Sequence, residues 1–80
     1  MQIQLLFFGI TTEITKKNEM QFEISNDETV LSLRNKLAEL YPKLNDFKQY
    51  AVAINMEYAE DSSVIKPNDV VALIPPVSGG

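Results

Sequence analysis

The sequence ends in Ser78-Gly79-Gly80. Two glycines at a C-terminus form a thread without side chains, able to enter a tunnel too narrow for any other residue pair. The terminal carboxylate has no Cβ to shield it from a nucleophile. Such a tail suits a chain whose own terminus reacts: Gly80 supplies the carboxylate and Gly79 the clearance. The competing reading is a frayed end, because the last residues of a domain are commonly small and poorly ordered.

Other chemistry is narrowed by what is missing. The chain has no Cys and no His, which excludes thiolate catalysis, histidine acid–base chemistry and Cys/His zinc sites. No disulfide staples the fold. Carboxylates remain, yet none sits in a recognisable metal loop, and no Gly-rich phosphate loop precedes a helix. Glu57, Glu60 and Asp61 cluster near a turn and read as a solvated surface in preference to a metal site. With 7 basic and 11 acidic residues the net charge is −4, which argues against nucleic acid as a partner. The single basic pair, Lys16-Lys17, falls in an expected turn. No long apolar segment predicts a membrane span. The start, Met1-Gln2-Ile3-Gln4, lacks the basic region of a signal peptide, and the expected location is the cytoplasm.

Something must hold the tail. Eighty residues make one domain, which buries only about 60–65% of its unfolded surface. In residues 3–8, Ile3, Leu5 and Phe7 share one face of a predicted strand while Leu6 and Phe8 share the other. A strand apolar on both faces is central or covered by a partner. Gly9 ends it, and residues 10–18 read as a turn or short helical excursion. Met20, Phe22 and Ile24 alternate with polar residues in a second, half-buried strand. Thr29 is a candidate N-cap, followed by Val30, Leu33, Leu37 and Leu40 as one helical stripe assigned to the core. Pro42 stops the helix. After a loop carrying Leu44 and Phe47, residues 51–55 read as a third strand, whose Ala51 and Ala53 leave room for the helix to approach. Residues 57–63 read as a polar stretch that holds a turn. Lys66-Pro67-Asn68-Asp69 is a strong turn, with Asn tolerant of the left-handed region, and residues 70–74 form the last strand.

The order strand, strand, helix, strand, strand, with an apolar first and last strand, predicts an α+β fold of the β-grasp, ubiquitin-like type. It is a mixed sheet of four to five strands with one main helix on one face, and the last strand lies centrally, parallel to the first. Residues 1–75 form the domain and residues 76–80 an extended, flexible Gly-Gly tail. Pro75 and Pro76 end the pairing and stiffen the exit. Leu6, Phe8, Tyr58 and Ile74 are candidates for an apolar patch around that exit. The alternative for Leu6 and Phe8 is a secondary core beneath the loop at residues 44–47.

The segment Leu73-Ile74-Pro75-Pro76-Val77-Ser78-Gly79-Gly80 resembles the end of the small, sulfur-carrier subunit of molybdopterin synthase, a family that commonly closes in Pro-Pro-Val-Ser/Thr-Gly-Gly. Leu6-Phe7-Phe8 is similar to its first strand. Thr29-Val30 with Leu33-Arg34 and Leu37 is similar to its helix start, and Ala53-Ile54-Asn55-Met56-Glu57-Tyr58 to its Val-Asn-x-Glu-Tyr segment. Pro67-Asn68-Asp69-Val70-Val71 stands where many members carry Asp-Gly-Asp-Glu-Val. Asn68 replaces the usual turn glycine, and Ile74 stands where an aromatic is frequent. Gly-Gly alone is shared with thiamine-pathway carriers and ubiquitin-like modifiers; the prolines before it are more specific.

The resemblance implies a mechanism in which partners hold the catalytic groups, and this chain is a non-catalytic subunit of a sulfurtransferase complex. A ubiquitin-activating-like adenylyltransferase, using ATP, converts the Gly80 carboxylate to an acyl-adenylate, and a sulfur donor displaces AMP to leave a thiocarboxylate. The tail then enters the large synthase subunit and gives sulfur to a cyclic pyranopterin precursor, on the way to the dithiolene that holds molybdenum. The chain itself binds no cofactor or metal. Phe8, Leu6, Tyr58, Ile74, Pro75, Pro76 and Val77 are the implied partner contacts, in a heterotetramer of two small and two large subunits. A carrier for thiamine or tRNA thiolation, a ubiquitin-like protein modifier and a passive interaction module remain as alternatives.

Overall fold

Alternating side chains along the first strand set the layers. In the computed structural model, which describes residues 1–47 and 49–76, β1 (Gln2–Phe7) points Ile3, Leu5 and Phe7 into the core and leaves Gln4 and Leu6 half-buried on the other side. A short helix α1 (Ile10–Thr15) follows, then β2 (Glu19–Glu23), helix α2 (Val30–Leu40), a 3-10 helix at Pro42–Phe47, β3 (Ala51–Ile54), β4 (Glu57–Ala59) and β5 (Val70–Ile74). The strands form one sheet in the order β2-β1-β5-β3-β4. β5 lies centrally and parallel to β1, with Leu5 opposite Val71 and Phe7 opposite Leu73. The other pairings are antiparallel. This is the expected β-grasp arrangement.

Helix α2 starts where its cap predicts: Thr29 is extended and its side chain accepts from the Ser32 amide at 3.2 Å. Glu28 reinforces the start from a buried position. Its Oε1 accepts from the Ser25 amide at 2.8 Å and from Lys36 Nζ at 2.9 Å, and its Oε2 accepts from Ser32 Oγ at 2.8 Å. Burial pushes this carboxyl up, but the hydrogen bonds from Lys36, Ser25 and Ser32 outweigh it and hold the group below the ordinary carboxylate value. Val30, Leu33 and Leu37 cover one face of the sheet together with Leu44 and Ile65.

Four sequence expectations need correction. Leu40 is 56% exposed and not part of the core; in the last turn the stripe drifts off axis, and Tyr41 and Leu44 pack there instead. The polar stretch after residue 56 contains a strand, β4, joined to β3 by a two-residue turn in which Asn55 and Met56 both have positive φ. Asp61 from the same stretch is not simply solvated, since it lies 3.1 Å from Arg34 Nε. Ala51 and Ala53 do not face α2: they pair with Ile74 and Ala72, whereas Val52 and Ile54 pair with the core-facing Leu73 and Val71. The turn before β5 matches expectation, with Asn68 at φ 67.

Candidate functional site

The sheet has a face that α2 does not cover, and cross-strand register places its side chains in rows. One row runs Glu19, Leu6, Ala72, Ala53, Tyr58, through all five strands, about 19 Å at the usual strand spacing. One pleat nearer the end of β5, Ile74 lies opposite Ala51. One pleat the other way the face turns polar, with Gln4 between Gln21 and Val70. The apolar part therefore lies at the end where β5 runs out into Pro75 and Pro76. Of the residues expected to form a patch, Leu6 and Ile74 are half-buried on this face, Tyr58 is 76% exposed on the edge strand, and Phe8 is 49% exposed just past β1. Among the described residues, Leu6 and Phe8 are not part of the hydrophobic core, and Leu44 is. Small side chains at Ala51, Ala53 and Ala72 keep the centre of the face shallow between Leu6 and Tyr58. Sequence reading assigned Ala51 and Ala53 to the helix side; their alternation with Val52 and Ile54 separates the two faces but does not say which one α2 covers.

The rim is acidic on the β2 side. Glu19 accepts from Gln4 Nε2 at 2.9 Å. Glu23 takes a hydrogen bond from the Met1 ammonium at 2.9 Å, and this bond with the charge behind it holds its carboxyl below the usual value.

The exit is held from one side by the loop after β1. Gly9 has φ 55 and ψ −132, a conformation open to glycine and strained for other residues. Thr11 is fully buried; its Oγ1 accepts from the Phe8 amide at 2.9 Å and donates to the Phe8 carbonyl at 2.6 Å. Thr12 Oγ1 donates to the Phe7 carbonyl at 3.0 Å. Sequence reading took Gly9 only as a strand end and missed both threonines. Pro75 is half-buried beside Gly9, and Pro76 is exposed. The predicted site residues Val77, Gly79 and Gly80 lie outside the described residues.

Away from this face, a cleft of about 350 Å³ lies beside α2, lined by Leu31, Arg34, Ala38, Leu44 and Tyr50 among others. Arg34 fills part of it: its guanidinium carbon stands 4.4 Å from the centre of the Tyr50 ring and Nη2 donates to the Tyr50 carbonyl at 2.9 Å. Burial pushes the Tyr50 hydroxyl up, only partly opposed by Arg34. Among the described residues, no group of three or more His, Cys, Asp or Glu side chains is placed to hold a metal ion, and no helix is long and apolar enough to cross a membrane. Among the described residues the body thus offers a partly exposed apolar face beside the Pro75-Pro76 exit, with no metal-ligating cluster.

Comparison with known proteins covers the whole chain. The sequence is 35% identical to the molybdopterin synthase sulfur carrier subunit of Chlamydomonas reinhardtii, with all of both chains covered. The fold matches one chain in the structure of the complex of subunits 1 and 2 of the molybdopterin-converting factor of Helicobacter pylori at 27% identity and TM-score 0.72, again over all of both chains. It also matches the modifier protein SAMP1 of Haloferax volcanii at 25% identity and TM-score 0.83, over 99% of each chain. A family profile described as the ThiS family matches residues 5–80. The chain belongs to the ThiS family.

Proposed function

We propose that this chain is the sulfur carrier subunit of a molybdopterin synthase, acting in the cytoplasm through its C-terminal carboxylate. The observation that carries the reading is the apolar row on the open sheet face, set at the end where β5 leads into the Pro75-Pro76 neck and the Gly-Gly terminus. Full-length similarity to curated sulfur carrier subunits supports the same reading. The large synthase subunit would dock on Leu6, Ile74, Tyr58 and Phe8, and the tail would reach into it.

The chemistry needs an activated terminus. A carboxylate is a poor acyl donor, so an adenylyltransferase partner first joins the Gly80 oxygen to the α-phosphorus of ATP and releases pyrophosphate. A sulfur donor then displaces AMP, and Gly80 becomes a thiocarboxylate that delivers sulfur to the pyranopterin precursor. ATP and pterin are held by the partners, two large subunits assembling with two copies of this chain. Gly79 and Gly80 are the residues with the least bulk for such a passage.

A second reading, a protein modifier that joins its terminus to lysines, is favoured by the similarity to the Haloferax modifier protein. One experiment separates the two. The full chain is incubated with activating enzyme, ATP and a sulfide source, and its intact mass is read. Exchange of one oxygen for sulfur, localised to Gly80, is the expected result, and deletion of Gly79-Gly80 abolishes it. Lysine-linked conjugates with no thiocarboxylate would favour the modifier. An unchanged mass with an activating enzyme of proven activity overturns the carrier role.

A further inference from the structure

We propose that Gly9 is a positioning residue for sulfur transfer: by leaving room for the Pro75 ring it sets the path on which the chain leaves β5. The inference rests on the reading of Gly80 as the sulfur-carrying terminus.

A Cβ added to Gly9 would lie 2.9 Å from Pro75 Cγ, 3.8 Å from Cδ and 4.0 Å from Cβ. The first distance is shorter than carbon atoms tolerate. The proline ring is closed onto the backbone and locks φ, so short of a change of pucker it cannot swing its Cγ away. With any side chain at position 9, either the loop after β1 or the neck must move.

The loop is the stiffer of the two. Thr11, fully buried, clasps both the amide and the carbonyl of Phe8. Thr12 holds the Phe7 carbonyl, and its amide donates to the Gly9 carbonyl at 3.0 Å. Among the described residues no hydrogen bond holds the neck in this way: β5 ends at Ile74, and neither proline has an N–H to donate to a ladder. Displacement therefore falls on Pro75. A carrier whose terminus must meet a reacting atom in another subunit is sensitive to its launching angle, because small misplacements of reacting groups are costly in rate. Gly9 touches no reacting atom and acts through Pro75 alone.

The test is single-turnover sulfur transfer from the full, thiocarboxylated chain to the pterin precursor at saturating large subunit, with affinity for that subunit measured separately. Gly9→Ala is expected to slow transfer measurably and Gly9→Val by about tenfold, with affinity held within about twofold. Both variants keep the unfavourable φ and melt earlier than wild type. Pro75→Ala removes the crowding Cγ, so Gly9→Val with Pro75→Ala transfers faster than Gly9→Val alone while its melting temperature stays low. A merely structural role would move rate and stability together. If Gly9→Val does not fold, the Gly9→Ala pair decides. Wild-type rates in the single variants, or no recovery in the double variant, overturn the proposal. A wild-type chain that takes up no sulfur overturns the carrier reading itself, and this inference with it.

Discussion

The two faces of the sheet are built from the same strands and meet opposite fates. On one, Ile3, Leu5, Phe7, Val52, Val71 and Leu73 are all buried under α2 and its neighbours. On the other, Leu6, Ala72 and Ile74 alternate with those residues along β1 and β5, and Tyr58 joins them by pairing with Ala53, yet all four stay partly or largely exposed. A parallel pair apolar on both faces normally has both faces covered. Among the described residues β1 and β5 have one intramolecular cover, and the proposed docking of the large subunit would supply the second. A strand period of two thus separates the residues that hold the fold from those proposed to meet the partner, and substitutions on each face should show different symptoms.

The largest effect is expected on the covered face. Leu37 is fully buried, and Leu37→Ala should destabilise by about 2–5 kcal/mol, read by denaturant unfolding. At matched folded concentration, sulfur transfer should be unchanged. A well-folded Leu37→Ala chain without transfer would break the division between the faces.

The open face should behave in the reverse way. Ile74→Ser leaves the core untouched and should cost less than about 1 kcal/mol of stability. Affinity for the large subunit should fall by about 2 kcal/mol, near thirtyfold, if Ile74 lies at the centre of the contact. Titration calorimetry beside thermal melting reads both. Loss of stability without loss of affinity would mean that this face is part of the fold alone.

How far the sequence foretold this division depended on how each signal is written. The parallel β1/β5 pair was legible because β5 is apolar throughout and β1 becomes apolar on both faces from Leu5 onward, and α2 because Thr29 caps it and Val30, Leu33 and Leu37 recur at helical spacing. β4 was not legible. It is three residues long, Glu57-Tyr58-Ala59, and its turn is made by Asn55-Met56 without the glycine that usually marks such hairpins. The facing of Ala51 and Ala53 depends on register with β5, which no local pattern carries. Gly9 is the instructive case within the candidate site. As a letter it marks a strand end, and only the fold brings Pro75 beside it, 66 positions later by subtraction of the two residue numbers.

A smaller, pH-dependent effect belongs to the covered side. Glu28 is buried and accepts three hydrogen bonds that lower its folded pKa. A depressed carboxyl contributes stability that is fully present above its unfolded pKa and is lost as pH falls through the folded one. Glu28→Gln should therefore cost about 1–3 kcal/mol near neutrality. Its stability should fall less steeply than wild type on acidification. Parallel curves for the two proteins would show that the Glu28 charge contributes nothing and that only packing matters there.

The smallest effect tests whether a third region must be added to the two faces. Met56 is 97% exposed and held at φ 73 in the β3–β4 turn, at the end of the sheet away from Pro75, since Ile54 pairs with Val71 and Ala51 with Ile74. A left-handed conformation costs an ordinary residue about 1–2 kcal/mol, while glycine adopts it freely and gives back part of that gain as unfolded-chain entropy. Met56→Gly should therefore stabilise the chain by about 0.5–1 kcal/mol, seen as a raised melting temperature. With affinity for the large subunit unchanged, the strain at Met56 is local to the hairpin and the partner surface stops short of this end. A stabilised chain that binds more weakly would instead place the protruding Met56 side chain in the contact, and the docking surface would run the full length of the β3–β4 edge.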